Sequence, residues 1–265
     1  MTERGADPAG GGGPHCFVGD LERPRLDEAD LQHLERALRL GPGDRLTIAD
    51  GHGRWRPARL SAGGVVVDGD VVTVPRPTPP IVVAFAPVKG DRPEWAVQKL
   101  TEAGVDRILL FAAVRSVVRW EGSRAARQRQ RLAKVAREAA MQCRRSWLPE
   151  IGMLGGFAEA AALSGAVLAD RGGAPPDVQQ HHTVLVGPEG GWAPEELAHG
   201  LPTVAFGVQQ MRAETAAVAA GLLLAGLRSG LLASASAHPG AAPAPEDLDG
   251  AQAPLQGDGG HTEQP

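Results

Sequence analysis

The sequence is poor in several things. Lysine is one, with 3 residues against 24 arginines in a chain of 265. Cysteine is another: only Cys16 and Cys143 occur, far apart and without metal-ligand spacing. Such a pair reads as reduced thiols, so no disulfide, zinc or other metal site is expected. Cys143, on the apolar face of a helical pattern, is expected to be buried. No run approaches about 20 uninterrupted apolar residues, which excludes a transmembrane helix. The first residues, MTERGADPAGGGGP, lack the apolar segment of a signal peptide. Residues 1–13 therefore read as a disordered leader, with the cytoplasm as the default location and no membrane partner.

The formal net charge is −4, at first sight wrong for a nucleic-acid protein. Its source is the tail. Residues 233–265 hold Glu246, Asp247, Asp249, Asp258 and Glu263 and no Lys or Arg; without them 27 basic residues face 26 acidic ones. That Ala-, Pro- and Gly-rich tail reads as disordered and outside the fold. Positive charge concentrates between Arg115 and Arg145, with ten Lys or Arg against only Glu121 and Glu138. An excess of this size over some thirty residues is the electrostatic footprint of a phosphate-backbone partner; a solvated helix face is the bland alternative.

Along the chain, residues 15–18 suit a first strand. Residues 26–40 suit a helix with Asp27 as N-cap and Leu31, Leu34 and Leu38 on one stripe, ended by Gly41-Pro42-Gly43. Short strands then alternate with turns to residue 74, as in a small barrel or sandwich. Arg36, Arg39, Arg54, Arg56 and Arg59 would give it a basic face. PRPTPP, residues 75–80, is a stiff linker. Beyond it, IVVAFAPV, a helix from Asp91 to Gly104 and RILLFAAV alternate as β-α-β, which predicts a mostly parallel sheet covered on both faces. Lys99 and Glu102, three apart on that helix, suit a surface ion pair. Ser123 opens a long helix to about Cys143, with Leu132, Val135 and Ala139 inward. A short helix over 157–163, a short strand AVLAD and a loop over 172–182 follow. His181 and His182 precede a strand rather than end one, which argues against a catalytic role.

Two turns organise the carboxy-terminal half. In TVLVGPEGGW (183–192) and VAFGVQQMRAETAA (204–217), a β-branched, apolar run ends at a glycine, the pattern of a buried strand feeding a tight turn. In an open α/β sheet, ligands bind at such strand ends. Gly187, Pro188, Gly190 and Gly191 let the backbone approach a flat ligand without a Cβ in the way. Trp192 and Ala193 stand where a nucleotide phosphate loop would place Lys and Ser or Thr, so nucleoside triphosphate binding is not expected. The last segment, residues 214–232, is a helix apolar on two sides, either core or subunit interface.

GPEGGW followed by PEEL, then FG, four residues and RAETAA, resemble the two carboxy-terminal signatures of the small-subunit ribosomal RNA uridine N3-methyltransferases, the methyltransferase E family of the SPOUT class. HLERALRLGPGD resembles the family's opening signature, with His33, Arg39, Gly43 and Asp44 on matching positions. KGDRPEWAVQKLTEAGVDRI, with Arg115-Ser116 beyond it, resembles the second. MQCRRSWLPEI resembles a substrate-side segment: Gln142 and Arg145 match, whereas Met141 replaces a glutamate and Trp147 a common arginine. The resemblance implies an α/β, SPOUT-type, trefoil-knotted, mostly parallel sheet domain (residues 80–232) preceded by a small PUA-like RNA-binding β-barrel (residues 14–75). It also implies a homodimer, S-adenosyl-L-methionine as cofactor, and small-subunit ribosomal RNA, within the assembled subunit, as partner.

It further implies the site. Leu168, Val186, Gly187, Pro188, Glu189, Gly190, Phe206, Gly207, Met211 and Thr215 would hold the cofactor. Arg36, Arg39, Arg115, Arg119, Gln142 and Arg145 would hold RNA. Uracil N3 must lose a proton for attack, and a positioned cation lowers the cost of the resulting anion. Arg212 is the candidate for that role, with Glu189 as reserve proton acceptor. Glu214, in the first turn of its helix, interacts favourably with the helix dipole, which makes it a weaker base. Two other readings stay open: a methyltransferase of this class acting on ribose or another RNA site, and a non-catalytic RNA-binding assembly protein. Met141, Trp147 and the Val208-Gln209 pair are what the latter would explain.

Overall fold

The computed structural model describes residues 8–233; residues 1–7 and 234–265, and with them nearly all of the expected tail, lie outside the described residues. Residues 8–13 are not a free leader. Pro8–Gly11 forms a 3-10 turn on the first domain, and a Cβ added at Gly11 would lie 2.4 Å from Thr47 Cγ2 and 3.0 Å from the Trp55 ring. A backbone bare of side chains can settle against that surface.

The first domain is a five-stranded sheet. In it β1 (His15–Phe17) runs parallel to β2 (Arg45–Ala49), which pairs antiparallel with β3 (Arg54–Ser61); β4 (Gly64–Val67) and β5 (Val72–Thr73) pair with β3. Between β1 and β2, α1 (Glu28–Gln32) is capped as expected, the Asp30 N–H donating to Asp27 Oδ1 at 2.7 Å. The helix does not run on to Leu40. It widens into a π turn over His33–Ala37, where the Leu38 N–H reaches back to the His33 carbonyl. The widened turn moves later residues out of the 3.6-residue stripe. Leu34 stays in the core beside Leu46, Ile48 and Leu60, and Leu38 is exposed.

The second domain is built on an all-parallel six-stranded sheet. In chain order its elements are β6 (Val82–Phe85), α2 (Arg92–Glu102), β7 (Arg107–Leu110), α3 (Gly122–Gln142), β8 (Glu150–Met153), α4 (Phe157–Ala161), β9 (Ala166–Ala174), β10 (Thr183–Val186), α5 (Pro194–Leu197), β11 (Thr203–Val204) and α6 (Ala213–Arg228). The strand order is β11-β9-β10-β6-β7-β8. The continuous apolar runs have the reason anticipated for them. Along β6 and β10, Val83, Phe85, Val184 and Val186 face a core shared with α2, α3 and α6, while Val82, Ala84 and Leu185 face a second core holding Phe157 and Trp192. Burying each large side chain there stabilises the fold by about 1.5–3 kcal/mol.

Several local expectations need correction. Asp91 occupies the N-cap position of α2 but makes no cap bond, because its backbone (φ −92°, ψ 2°) is not extended and does not aim the carboxylate at the first turn. The inward face of α3 is Leu132, Ala136, Ala139 and Ala140, with Val135 at its margin. Cys143 sits just past the end of α3 and is only half-buried, although burial still raises its thiol pKa. Strand β9 runs through 172–174, where a loop was expected. Its outer half pairs with β11 across a register shift, and Gly173 lets the two backbones meet: a Cβ there would lie 2.4 Å from the Val204 nitrogen.

The end of α6 is fixed under the sheet. The Arg228 guanidinium pairs with the buried Asp106 carboxylate and donates to the carbonyls of Pro79 (3.1 Å) and Gly104 (2.9 Å), while Asp106 Oδ2 also accepts the Ile81 N–H at 2.8 Å. A buried pair is tolerated when, as here, its remaining valences are used. The two domains are joined through α3. Arg137 donates to Asp30 Oδ1 (3.1 Å) and to the Phe17 carbonyl (3.2 Å), and Trp147 Nε1 donates to the Val74 carbonyl at 3.0 Å.

Candidate active site

The strands β9, β10 and β11 end on the same side of the sheet, and the turns that leave them surround a cavity of about 460 Å³. The first turn supplies Val186, Gly187, Pro188, Glu189, Gly191 and Trp192; the second supplies Phe206, Gly207, Gln209, Gln210 and Met211. Ala213 and Ala216 close the cavity from the first turns of α6. The two glycine turns, about twenty residues apart in sequence, thus meet in one pocket. A third wall, Ala169 to Gly172 from the outer half of β9, was not foreseen. No motif marks it: ADRG after a short strand reads as loop.

Of the residues implied for cofactor binding, Val186, Gly187, Pro188, Glu189, Phe206, Gly207 and Met211 line this cavity, while Leu168, Gly190 and Thr215 do not. Leu168 is buried in the sheet, Thr215 is exposed, and Gly190 receives a hydrogen bond on its carbonyl from Arg115 Nη1 at 3.0 Å. Two glycines make the cavity what it is. A Cβ at Gly187 would press on the Trp192 ring at 3.1 Å, and one at Gly207 would lie 2.9 Å from Met211 Cε. Both backbones therefore sit directly against a lining side chain, an approach that a Cβ would obstruct.

The first turn is strongly braced. Trp192 stacks with Phe111 (centroids 6.4 Å apart, planes 7° apart), meets Phe157 edge-on, and donates to the Ala169 carbonyl. Glu196, in the PEEL segment, is buried and accepts the N–H of Ala193 at 2.8 Å and of Val114 at 2.9 Å. It fixes the start of α5 and the loop after β7 together. Such structural work was invisible in sequence, because Val114 lies 82 residues away.

The three acid–base candidates lie around the cavity. Arg212 is exposed at the N-cap of α6, between lining residues Met211 and Ala213, and has no ion-pair or hydrogen-bond partner for its side chain among the described residues. Glu189 is exposed, whereas Glu214 is 5% exposed, with Oε2 buried and unpartnered among the described residues. Both carboxylates reach one cation that sequence reasoning did not single out, Arg92 at the start of α2. Its Nη1 lies 3.2 Å from Glu189 Oε1 and 3.4 Å from Glu214 Oε1. The Glu189 hydrogen bond, with help from Glu214, raises the Arg92 pKa above the ordinary arginine value.

The RNA candidates separate into two groups. Arg36, Arg39, Arg115, Arg119 and Gln142 are exposed. Arg145 is not presented to a ligand: its guanidinium donates to the carbonyls of Thr101 (2.8 Å) and Val105 (3.0 Å), and burial pushes its pKa below the ordinary value. It is a strut under α2. The expected basic face of the first domain also shrinks. Arg54 is held by Asp50, Arg56 by Glu22 and the Gly69 carbonyl, and Arg59 by Asp68, leaving Arg36 and Arg39. Met141 and Trp147 are at the domain junction, not at the pocket. Met141 packs beside the first domain's core, and the Trp147 ring lies under Arg76 at 5.2 Å.

Comparison with known proteins agrees with this architecture. Residues 75–225 match the RNA methyltransferase domain family and residues 26–64 the RNA methyltransferase PUA domain family. The ribosomal RNA small subunit methyltransferase E of Mycobacterium bovis is 34% identical over 210 residues, covering 71% of this chain and 80% of that one. The Bacillus subtilis protein of the same name is 27% identical over 146 residues, covering 50% and 57%. Among solved structures, a probable rRNA-methyltransferase from Porphyromonas gingivalis superposes with a TM-score of 0.70 at 27% identity, covering 83% of this chain and 100% of that one. The Neisseria gonorrhoeae methyltransferase E bound to S-adenosyl methionine shares the fold, at a TM-score of 0.66 and 23% identity over 82% and 97% of the two chains. The fold is thus an α/β RNA methyltransferase domain with a parallel sheet behind an amino-terminal PUA domain. The chain belongs to the ribosomal RNA small subunit methyltransferase E family.

Among the described residues no group of three His, Cys, Asp or Glu side chains could hold a metal ion, and no helix is long and apolar enough to cross a membrane.

Proposed function

We propose that this chain methylates N3 of a uridine in small-subunit ribosomal RNA with S-adenosyl-L-methionine as methyl donor, acting as a cytoplasmic homodimer on the assembled subunit. The observation that carries the reading is the single cavity enclosed by the two signature turns at the carboxyl ends of parallel strands. Its volume lies in the range of small-molecule sites. Glycine at 187 and 207 lets the two turns pack directly on Trp192 and Met211, which themselves line the cavity. In that pocket the cofactor supplies an electrophilic methyl group on a sulfonium. Val186 to Glu189, Phe206, Gly207 and Met211 hold it, and the trefoil knot implied by the family would comprise these turns.

The chain's own chemistry lies at the mouth. Arg212, unpaired among the described residues and beside the cavity, stabilises the negative charge that spreads to uracil O2 and O4 as the N3 proton leaves. Glu189 and Asp170 are both exposed carboxylates that line the cavity, and Glu189, on the first signature turn, is the one we place to accept that proton, although Arg92 competes for it. Gln142, Arg115, Arg119, Arg36 and Arg39 offer exposed groups to the RNA. The remaining task is alignment of nucleophile, methyl group and leaving sulfur, which supplies a large part of the rate enhancement of a displacement. Mass-spectrometric mapping of small-subunit ribosomal RNA from cells with and without the gene tests the reading: loss of one N3-methyluridine supports it, and loss of a ribose methyl or no change overturns it. Arg212→Ala should abolish methylation with cofactor affinity nearly unchanged; full activity would remove Arg212 from its role.

A further inference from the structure

Arg92 does not line the cavity, yet it touches both elements that close it. One guanidinium nitrogen bridges Glu189, on the turn after β10, and Glu214, in the first turn of α6. Its Nε donates to the carbonyl of Lys89, on the turn after β6, at 3.1 Å. One side chain therefore links the loops that follow three separate strands. Glu214 makes the link consequential. It is nearly fully buried, and among the described residues its only cation is Arg92. Removing Arg92 would strand a buried carboxylate at the point where α6 begins, between cavity residues Ala213 and Ala216. A buried charge without its counter-ion is costly, and the cheap escape is for the element that carries it to move.

We infer that Arg92 is a positioning residue for the cofactor pocket: by pairing with Glu189 and Glu214 at once, it holds the first glycine turn and the start of α6 at the separation the ligand requires. The same contacts engage both carboxylates as anchors. This inference rests on the proposed cofactor but concerns the pocket's construction, so the two can fail separately.

The test uses the full-length chain with Arg92→Ala, Arg92→Lys, Glu214→Gln and the double variant Arg92→Ala/Glu214→Gln, each checked for folding by its thermal transition. Hydrogen exchange in the ligand-free proteins should show faster exchange in peptides covering 187–192 and 208–216 for Arg92→Ala, with no change over 45–61 in the first domain. Calorimetry with S-adenosylmethionine should show affinity lowered on the order of tenfold in Arg92→Ala, partial recovery in Arg92→Lys, and partial recovery in the double variant because the stranded charge is gone. A merely structural loss would not be rescued by neutralising Glu214. Unchanged exchange in both segments, or strictly additive effects in the double variant, would overturn the inference. Absence of cofactor binding by the parent protein would instead overturn the proposed function, leaving the exchange result to decide the role of Arg92.

Discussion

The two glycine turns look alike in sequence and are held in opposite ways. The first, 187–191, is bound on every side: Trp192 is locked between Phe111 and Phe157, Arg115 holds the Gly190 carbonyl, Arg92 holds Glu189, and Glu196 fixes the next helix. The second, 207–211, makes no hydrogen bond of side chain or backbone to the other described residues, and Val208 at its tip is 84% exposed. Only the Met211 side chain, packed against the main core, ties it down. One wall of the pocket is therefore part of the core and the other is a flap of backbone. Local stability follows buried contacts and hydrogen bonds, so the second wall should open first.

That contrast can be broken most forcefully at Trp192. Trp192→Ala should lower unfolding free energy by about 3–5 kcal/mol, because it empties an aromatic core site; chemical denaturation checks it, and a loss below about 1 kcal/mol would mean the first turn is not anchored there. Glu196→Ala leaves the Ala193 and Val114 amides without their acceptor and should cost about 1–3 kcal/mol, with faster exchange at Val114 than at any residue of β10. Gly207→Ala sharpens the comparison from the other side. Its new methyl meets the mobile end of Met211, so stability should change by less than about 1 kcal/mol, while cofactor affinity measured by calorimetry should fall several-fold, on the order of 1 kcal/mol in binding. Val208→Ser, at an exposed tip, should leave the melting transition within about 0.5 kcal/mol of the parent protein; a larger loss would show that the second turn is packed after all.

A chemical contrast of the same kind separates the two cysteines. Burial, with Asp30 adding to it, pushes the Cys16 thiol up to about 12, while half-buried Cys143 is raised less. Cys16 therefore contributes stability in full below its unfolded pKa near 8.5, and that contribution disappears as pH rises toward 12. An aromatic disulfide reagent at pH 8 should modify Cys143 first and reach Cys16 only on unfolding; equal rates would contradict the burial of Cys16.

Where sequence reading succeeded, the signal was local. Glycine after a β-branched run marks a turn because only backbone without Cβ can approach so closely, and β6 and β10 read as central strands because both their faces are covered. It failed where a residue's role depends on a distant partner. Arg145 belongs to the basic patch in sequence, but in the fold its guanidinium is bonded under α2. Arg54, Arg56 and Arg59 formed a face only on paper, because each has an acidic partner within the first domain. The long helix expected at residues 26–40 failed for a third reason, since a π turn changes the periodicity on which the expectation rested.

By itself the sequence determined the β-α-β order, the two turns and their glycines, and the family, because these depend on neighbours in the chain. Only the tertiary structure decided that the outer half of β9 forms the third wall, that Met141 and Trp147 serve the domain junction, and that Arg92 joins Glu189 and Glu214. The reason is charge and distance. Arg92 meets partners 97 and 122 residues away, and nothing in the local pattern of an arginine says which carboxylate it will find when the chain closes.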